Sequence, residues 1–149
     1  MGGASWLRRA WSRLLRGDPS RWSDEELGRA GERAAARLLR GDGEVLLAAR
    51  FASSCAEIDL LSRDRRGRLW LHEVKTTREP PAPAGSGPRA PSSLAGRVGP
   101  AQRKRLERAR SALAAARREE VGIKLWSVRV DPSGNFFAVH EDLTPPRGA

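Results

Sequence analysis

The chain has 149 residues, one cysteine, no apolar run long enough to span a bilayer, and 28 Lys plus Arg against 18 Asp plus Glu. Those figures exclude an internal disulfide framework, a multi-cysteine metal site and a transmembrane helix, and they leave room for one domain with a proper core. A formal net charge of +10 makes a polyanion the natural partner, nucleic acid ahead of an anionic membrane surface.

In residues 1–21, Trp6, Leu7, Ala10, Trp11, Leu14 and Leu15 recur at helical spacing with Arg8, Arg9, Arg13 and Arg16 between them. This predicts a basic amphipathic helix on an N-terminal arm, suited to a membrane surface, a partner protein or a run of phosphates. The arm lacks the uninterrupted apolar region of a secretory signal, so a cytoplasmic protein is expected. A main domain is expected over 22–143, followed by a tail at 144–149. It opens on Ser23 and Glu26, a capping box, with Trp22 and Leu27 placed to close a hydrophobic staple. The helix should run to about Arg40, before Gly41-Asp42-Gly43. Its buried stripe is Leu27, Ala30, Gly31, Ala34, Ala35 and Leu38, with Arg29, Arg33, Arg37 and Arg40 facing away and Glu32 on the margin.

EVLLAARF (44–51), EIDLLSR (57–63) and RLWLHEVKT (68–76) read as strands, the last two joined by the turn Asp64 to Gly67. Residues 77–98 are too rich in Pro, Gly and Ser to build an element, and a loop this long is expected to border the site. Pro100 suits the first turn of a second helix reaching about Arg118. There Gln102, Leu106, Ala109 and Leu113 share one face, while Arg103, Lys104, Arg105 and Arg108 spread over the rest. IKLWSVRV (123–130) and NFFAVH (135–140) are two more strands around the turn Asp131 to Gly134. The order αβββαββ predicts an α/β fold, a mixed β-sheet flanked by helices.

Three charges stand out within otherwise apolar strands: Asp59, Glu73 and Lys75. Alternation puts Leu71, Glu73 and Lys75 on one face of their strand and Trp70, His72 and Val74 on the other. Asp59 lies on the adjoining hairpin strand, and Glu32 is within reach from the first helix. Carboxylates that converge without a cation repel one another, whereas Mg²⁺ or Mn²⁺ suits a set of hard oxygen ligands. Such an ion attacks phosphodiesters by polarising a phosphoryl oxygen and activating water, with a lysine to orient that water. His72 points away from Glu73 and is expected to be packed or solvent-facing, not catalytic; His140 is assigned no role.

The order Glu32, Asp59, Glu73-Val74-Lys75 resembles the PD-(D/E)xK nuclease superfamily. The strings LGRAGERAAARLL, AEIDLL, LHEVKTTR and VGPAQRKRL are similar to those of the small bacterial YraN family, from Leu27 to Leu113. This resemblance implies a restriction-endonuclease-like core of the Holliday-junction-resolvase kind. It further implies that Asp59 and Glu73 bind the metal with the Val74 backbone carbonyl, that Lys75 positions the nucleophilic water, and that Glu32 completes the acidic set. Glu57 matches the Glu of the family's GEIDL string and would stand behind the ligands.

The chain departs from the family at Ala56, Arg50, Ala52 and Gln102, and Lys124 to Val128 (KLWSV) replaces a string resembling RFDVV. Gln102 stands where a lysine is usual, so either it serves as a polar substitute or Arg103 and Lys104, with Arg105 and Arg108, contact phosphate. The expected function is a metal-dependent endonuclease on DNA, branched or partly single-stranded, with a two-fold dimer suiting a two-stranded substrate. Its rivals are a nucleic-acid-binding module with weak or lost catalysis, and a peripheral membrane or partner-docking protein led by the N-terminal helix.

Overall fold

The computed structural model describes residues 6–10, 17–52, 56–78 and 98–144. Two helices, α1 (Asp24–Gly41) and α2 (Pro100–Arg117), pack on a sheet of β1 (Trp6–Ala10), β2 (Val45–Ala52), β3 (Glu57–Arg63), β4 (Leu69–Arg78), β5 (Val121–Val130) and β6 (Phe136–Asp142). The strand order is β1-β6-β5-β4-β3-β2. Strands β2 to β6 make a five-stranded mixed sheet, which β1 extends at one edge. Among the described strands only β4 and β5 run parallel, and α2 supplies the crossover that a parallel pair requires. The αβββαββ order expected for the main domain is the observed order from α1 onward.

Local chemistry accounts for the element ends. Ser23 Oγ accepts the Glu26 N–H at 3.1 Å and caps α1. The Glu26 carboxylate takes the Ser23 hydroxyl at 3.2 Å, so the box closes between side chains. The β3–β4 turn is tied by Asp64 Oδ1, which accepts from the N–H groups of Arg66 and Arg68, both at 2.9 Å. Gly67 there has φ +85°, a conformation that costs glycine nothing. Asp131 repeats the device at the β5–β6 turn, accepting from the N–H groups of Ser133 and Asn135.

The sheet has a core on each side. Under α1 lie Leu27, Ala34, Ala35 and Leu39 against Leu60, Trp126, Val128 and Phe136. Under α2 lie Leu106 and Ala109 against Leu69, Leu71, Ile123 and Leu125. The buried stripe of α1 is centred slightly later than expected: Leu39 is 1% exposed, whereas Leu38 is half-buried.

Two expectations are corrected here. Residues 6–10 form a strand and not part of an amphipathic helix, pairing antiparallel with β6 from Trp6 opposite His140 to Ala10 opposite Phe136. A lone helix of this length is marginal in water, while the edge of β6 offers a row of open backbone groups. Residues 11–16 of that expected helix lie outside the described residues. Thr77 and Arg78, assigned to the long loop, continue β4 opposite Arg129 and Val130, and the Arg78 guanidinium bonds the Trp22 carbonyl and Asp24. The loop's centre, residues 79–97, lies outside the described residues, as do Cys55 and the tail from 145. Strand β2 carries a bulge between Leu46 and Ala48, which leaves Leu47 without a cross-strand partner.

Gly31 sets how closely α1 approaches the sheet: a Cβ there would fall on the Thr76 hydroxyl. Gly31→Ala should therefore cost about 1–3 kcal/mol despite alanine's better helix propensity. Chemical denaturation checks this, and Thr76→Ala in the same chain should recover most of the loss.

Candidate functional site

The site forms where β3 and β4 part. Their ladder runs from Arg63 opposite Leu69 to Leu60 opposite His72. One residue further, the Asp59 side chain takes over, its Oδ2 accepting the Val74 N–H at 2.8 Å. Two residues that would face each other across the ladder, Asp59 and Glu73, thus bring their carboxylates together on the α2 side of the sheet. Glu73 is buried, and α2 reaches it through Gln102, whose Nε2 donates to Glu73 Oε1 at 2.5 Å. Lys75, two residues on along the same face, puts Nζ 3.1 Å from that oxygen. The cleft, about 410 Å³, is lined by Ala56, Glu57, Asp59, Glu73, Gln102 and Arg105, with Leu106 at its base.

Burial raises the Asp59 carboxyl above its ordinary range. The Glu73 carboxylate beside it and the Glu32 charge push it further, and the Val74 N–H offsets part of this. The pKa settles at about 7. Burial first, and converging negative charge second, set that direction. The donors are oxygens only, and two carboxylates fit a small hard cation that keeps several waters, as Mg²⁺ does.

Glu32 is close enough to act on Asp59 but is held elsewhere. Arg50 donates to it through Nε at 2.7 Å and Nη2 at 3.3 Å. Arg50 falls between the pairs Ala49–Leu60 and Phe51–Ile58, abreast of Asp59, and has φ +47°. A non-glycine residue in that region stores about 1–2 kcal/mol of strain, here offset by a charge-assisted fork. Among the described residues no three His, Cys, Asp or Glu side chains gather as a metal-ligand group. The structure therefore joins Asp59, Glu73, Lys75, Gln102 and Glu57, with Glu32 at the margin on Arg50. Of the basic residues expected at phosphate, Arg105 lines this cleft. Arg103, Lys104 and Arg108 line a neighbouring one of about 640 Å³, between α2 and the end of β6.

The α1 side of the same strand holds a polar chain that the sequence reading passed over. Trp126 Nε1 donates to His72 Nδ1 at 2.9 Å, and His72 Nε2 lies 2.7 Å from Ser62 Oγ. The Ser62 hydroxyl donates to Glu44 at 2.7 Å, and Lys124 lies 3.5 Å from Glu44. The indole can only donate, so His72 accepts at Nδ1 and carries its proton on Nε2. Burial first, then Lys124, holds the ring well below its ordinary pKa, hence neutral. Alternation puts His72 on the face of Trp70 and Val74, but nothing local brings Ser62 and Trp126 to it. Trp126→Phe should leave Nδ1 without a donor and cost about 1–3 kcal/mol in denaturant titration, with cleft residues undisturbed.

A family model described as Uncharacterised protein family UPF0102 matches residues 31–131. The chain belongs to that family, the YraN family. It is a PD-(D/E)xK-like, nuclease-related family, as the motif resemblance implied. The match covers both strands of the YraN-family site and all of α2. No curated protein matches the chain. Among the described residues, no helix is long and apolar enough to cross a membrane.

Proposed function

We propose that the chain is a metal-dependent endonuclease with a PD-(D/E)xK core, hydrolysing phosphodiester bonds in branched or partly single-stranded DNA. The observation that carries this reading is the facing pair Asp59 and Glu73 with the Lys75 ammonium on Glu73, in one cleft of a strongly basic chain. Asp59, Glu73 and the Val74 carbonyl would hold Mg²⁺ or Mn²⁺. Once bound, the ion polarises a phosphoryl oxygen and lowers the pKa of water. Lys75 orients the attacking water and meets the negative charge that grows on the phosphate. Gln102 fixes the rotamer of Glu73 from α2, in the place where the family has a lysine. Arg105 at the cleft wall is placed for a flanking phosphate.

The test is cleavage of supercoiled plasmid, four-way junctions and splayed duplexes with Mg²⁺, Mn²⁺ or EDTA. Cutting that needs the metal and disappears in Asp59→Ala supports the proposal. Cutting that persists unchanged in Asp59→Ala and Glu73→Ala assigns it to another site or a contaminant.

A second reading has its own observation. Glu32 is engaged by Arg50, and among the described residues no three acidic, His or Cys side chains gather as a metal-ligand group, which suits a nucleic-acid-binding module that no longer cuts. Salt-sensitive DNA binding with no cleavage, and no calorimetric signal for Mn²⁺, would select this one.

A further inference from the structure

Arg29, Arg33, Arg37 and Arg40 form a row along the exposed side of α1, about three turns long. Within that row Arg29 pairs with Glu25, as Arg50 does with Glu32, Arg63 with Glu119 and Arg110 with Glu107. Arg33, Arg37 and Arg40 have no such carboxylate among the described residues. They stand, with Arg29 and Arg50, around a groove of about 790 Å³ between α1 and β2. Its floor is apolar, made by Leu46, Ala49, Leu60 and Phe136.

A merely solvated helix face needs no groove, and a packing gap needs no arginines. Together they fit a ligand that is anionic along one side and apolar on the other. An unpaired nucleotide strand has that character, with phosphates on its backbone and apolar faces on its bases. A duplex offers this groove phosphates alone, since its bases are stacked within. The volume is that of pockets that enclose small ligands, enough for a short stretch of nucleotides. Glu32 and Arg50 stand on the groove wall, and Arg50 is abreast of Asp59 in the β2–β3 register.

We infer that the α1–β2 groove binds single-stranded nucleic acid, with Arg33, Arg37 and Arg40 on successive phosphates and the apolar floor taking bases. The strand then leads past Arg50 to Asp59 and Glu73. This last step rests on the nuclease reading; the binding itself does not.

The experiment is fluorescence anisotropy of the full chain in EDTA with a labelled oligothymidylate, a blunt duplex as comparison, over a range of salt. The combined variant Arg33→Gln, Arg37→Gln and Arg40→Gln keeps good helix formers at exposed positions, and circular dichroism verifies its fold. It should bind the single strand at least about tenfold more weakly at low salt, with a log–log salt slope smaller by about 2. Leu46→Asp should weaken the single strand and spare the duplex. An unchanged slope and affinity in the combined variant overturns the inference. So does loss of binding to phosphatidylserine vesicles in that variant while oligonucleotide binding stays intact, which would assign the groove to a membrane surface. Wild-type chain that binds with the expected slope but never cuts DNA removes the nuclease reading and leaves the groove standing. Wild-type chain that cuts DNA, with binding indifferent to the three arginines, removes the groove alone.

Discussion

Lys75→Met is expected to slow metal-dependent DNA cleavage about 10²- to 10³-fold, the usual cost of removing one preorganised positive group from a phosphoryl-transfer site. Lys75 Nζ sits 3.1 Å from Glu73 Oε1, and its side chain is 35% exposed, so the ammonium is beside the acidic pair and not buried in the core. Methionine keeps the length and the apolar stem while deleting the charge. Glu73 retains Gln102, so its carboxylate should stay in place. DNA affinity, measured with Ca²⁺ in place of Mg²⁺, should change little, because at most one phosphate contact is lost. The loss should therefore fall on kcat. Lys75→Arg should recover only part of the rate, since a planar fork replaces a compact point charge. Equal rates for wild type and Lys75→Met would remove this lysine from the chemistry and weaken the enzyme reading as a whole.

Much of this site was legible because strand alternation is strict. Asp59, Glu73 and Lys75 each sit in an apolar strand, and period 2 alone puts Glu73 and Lys75 together. The hairpin turn then fixes the register that brings Asp59 opposite. Gln102 was placed by the helical period, which sets it on the stripe of α2 that faces the sheet. Both helices and five strands could be read for the same reason: each has one dominant period and recognisable ends.

What escaped was tertiary. The N-terminal segment has helical periodicity, but hydrogen bonds from an open sheet edge decide its backbone, and no local pattern reports which edge is open. Arg50 stood out only as a departure from the family. Its grip on Glu32 goes with φ +47°, which has no sequence signature without glycine. The arginines of α1 were read as a solvated face, which is the usual meaning of such a row. Only the groove beneath them changes that meaning. The chain Trp126–His72–Ser62–Glu44 joins residues from β5, β4 and β3 with one that precedes β2, so it becomes visible only once strand order is known.

The affinity for Mn²⁺ should fall about tenfold between pH 8 and pH 6, because the ion must displace the proton that Asp59 holds with a pKa of about 7. Calorimetry in buffers of different ionisation enthalpy should detect that proton leaving. The same group should shape stability without metal. Its folded pKa lies above that of the unfolded chain, so the folded state binds the extra proton between about pH 4 and 7. Stability linked to Asp59 is then complete below that window and is lost as pH rises through it. His72 acts in the opposite sense: its folded pKa is depressed, and the stability linked to it is lost as pH falls below about 6.5. The wild-type profile mixes the two, so the difference between wild type and Asp59→Asn isolates the carboxylate. Asparagine keeps an oxygen for the Val74 N–H while removing the repulsion from Glu73. Allowing for partial solvation, Asp59→Asn should be about 1–2 kcal/mol more stable at pH 8, or about 3–6 °C in Tm, and nearly equal to wild type at pH 4. Saturating Mn²⁺ should stabilise wild type at pH 8 and leave the variant where it was. An Asp59→Asn chain that melts below wild type at every pH would mean that the two carboxylates are a structural pair, with no electrostatic tension for a cation to relieve.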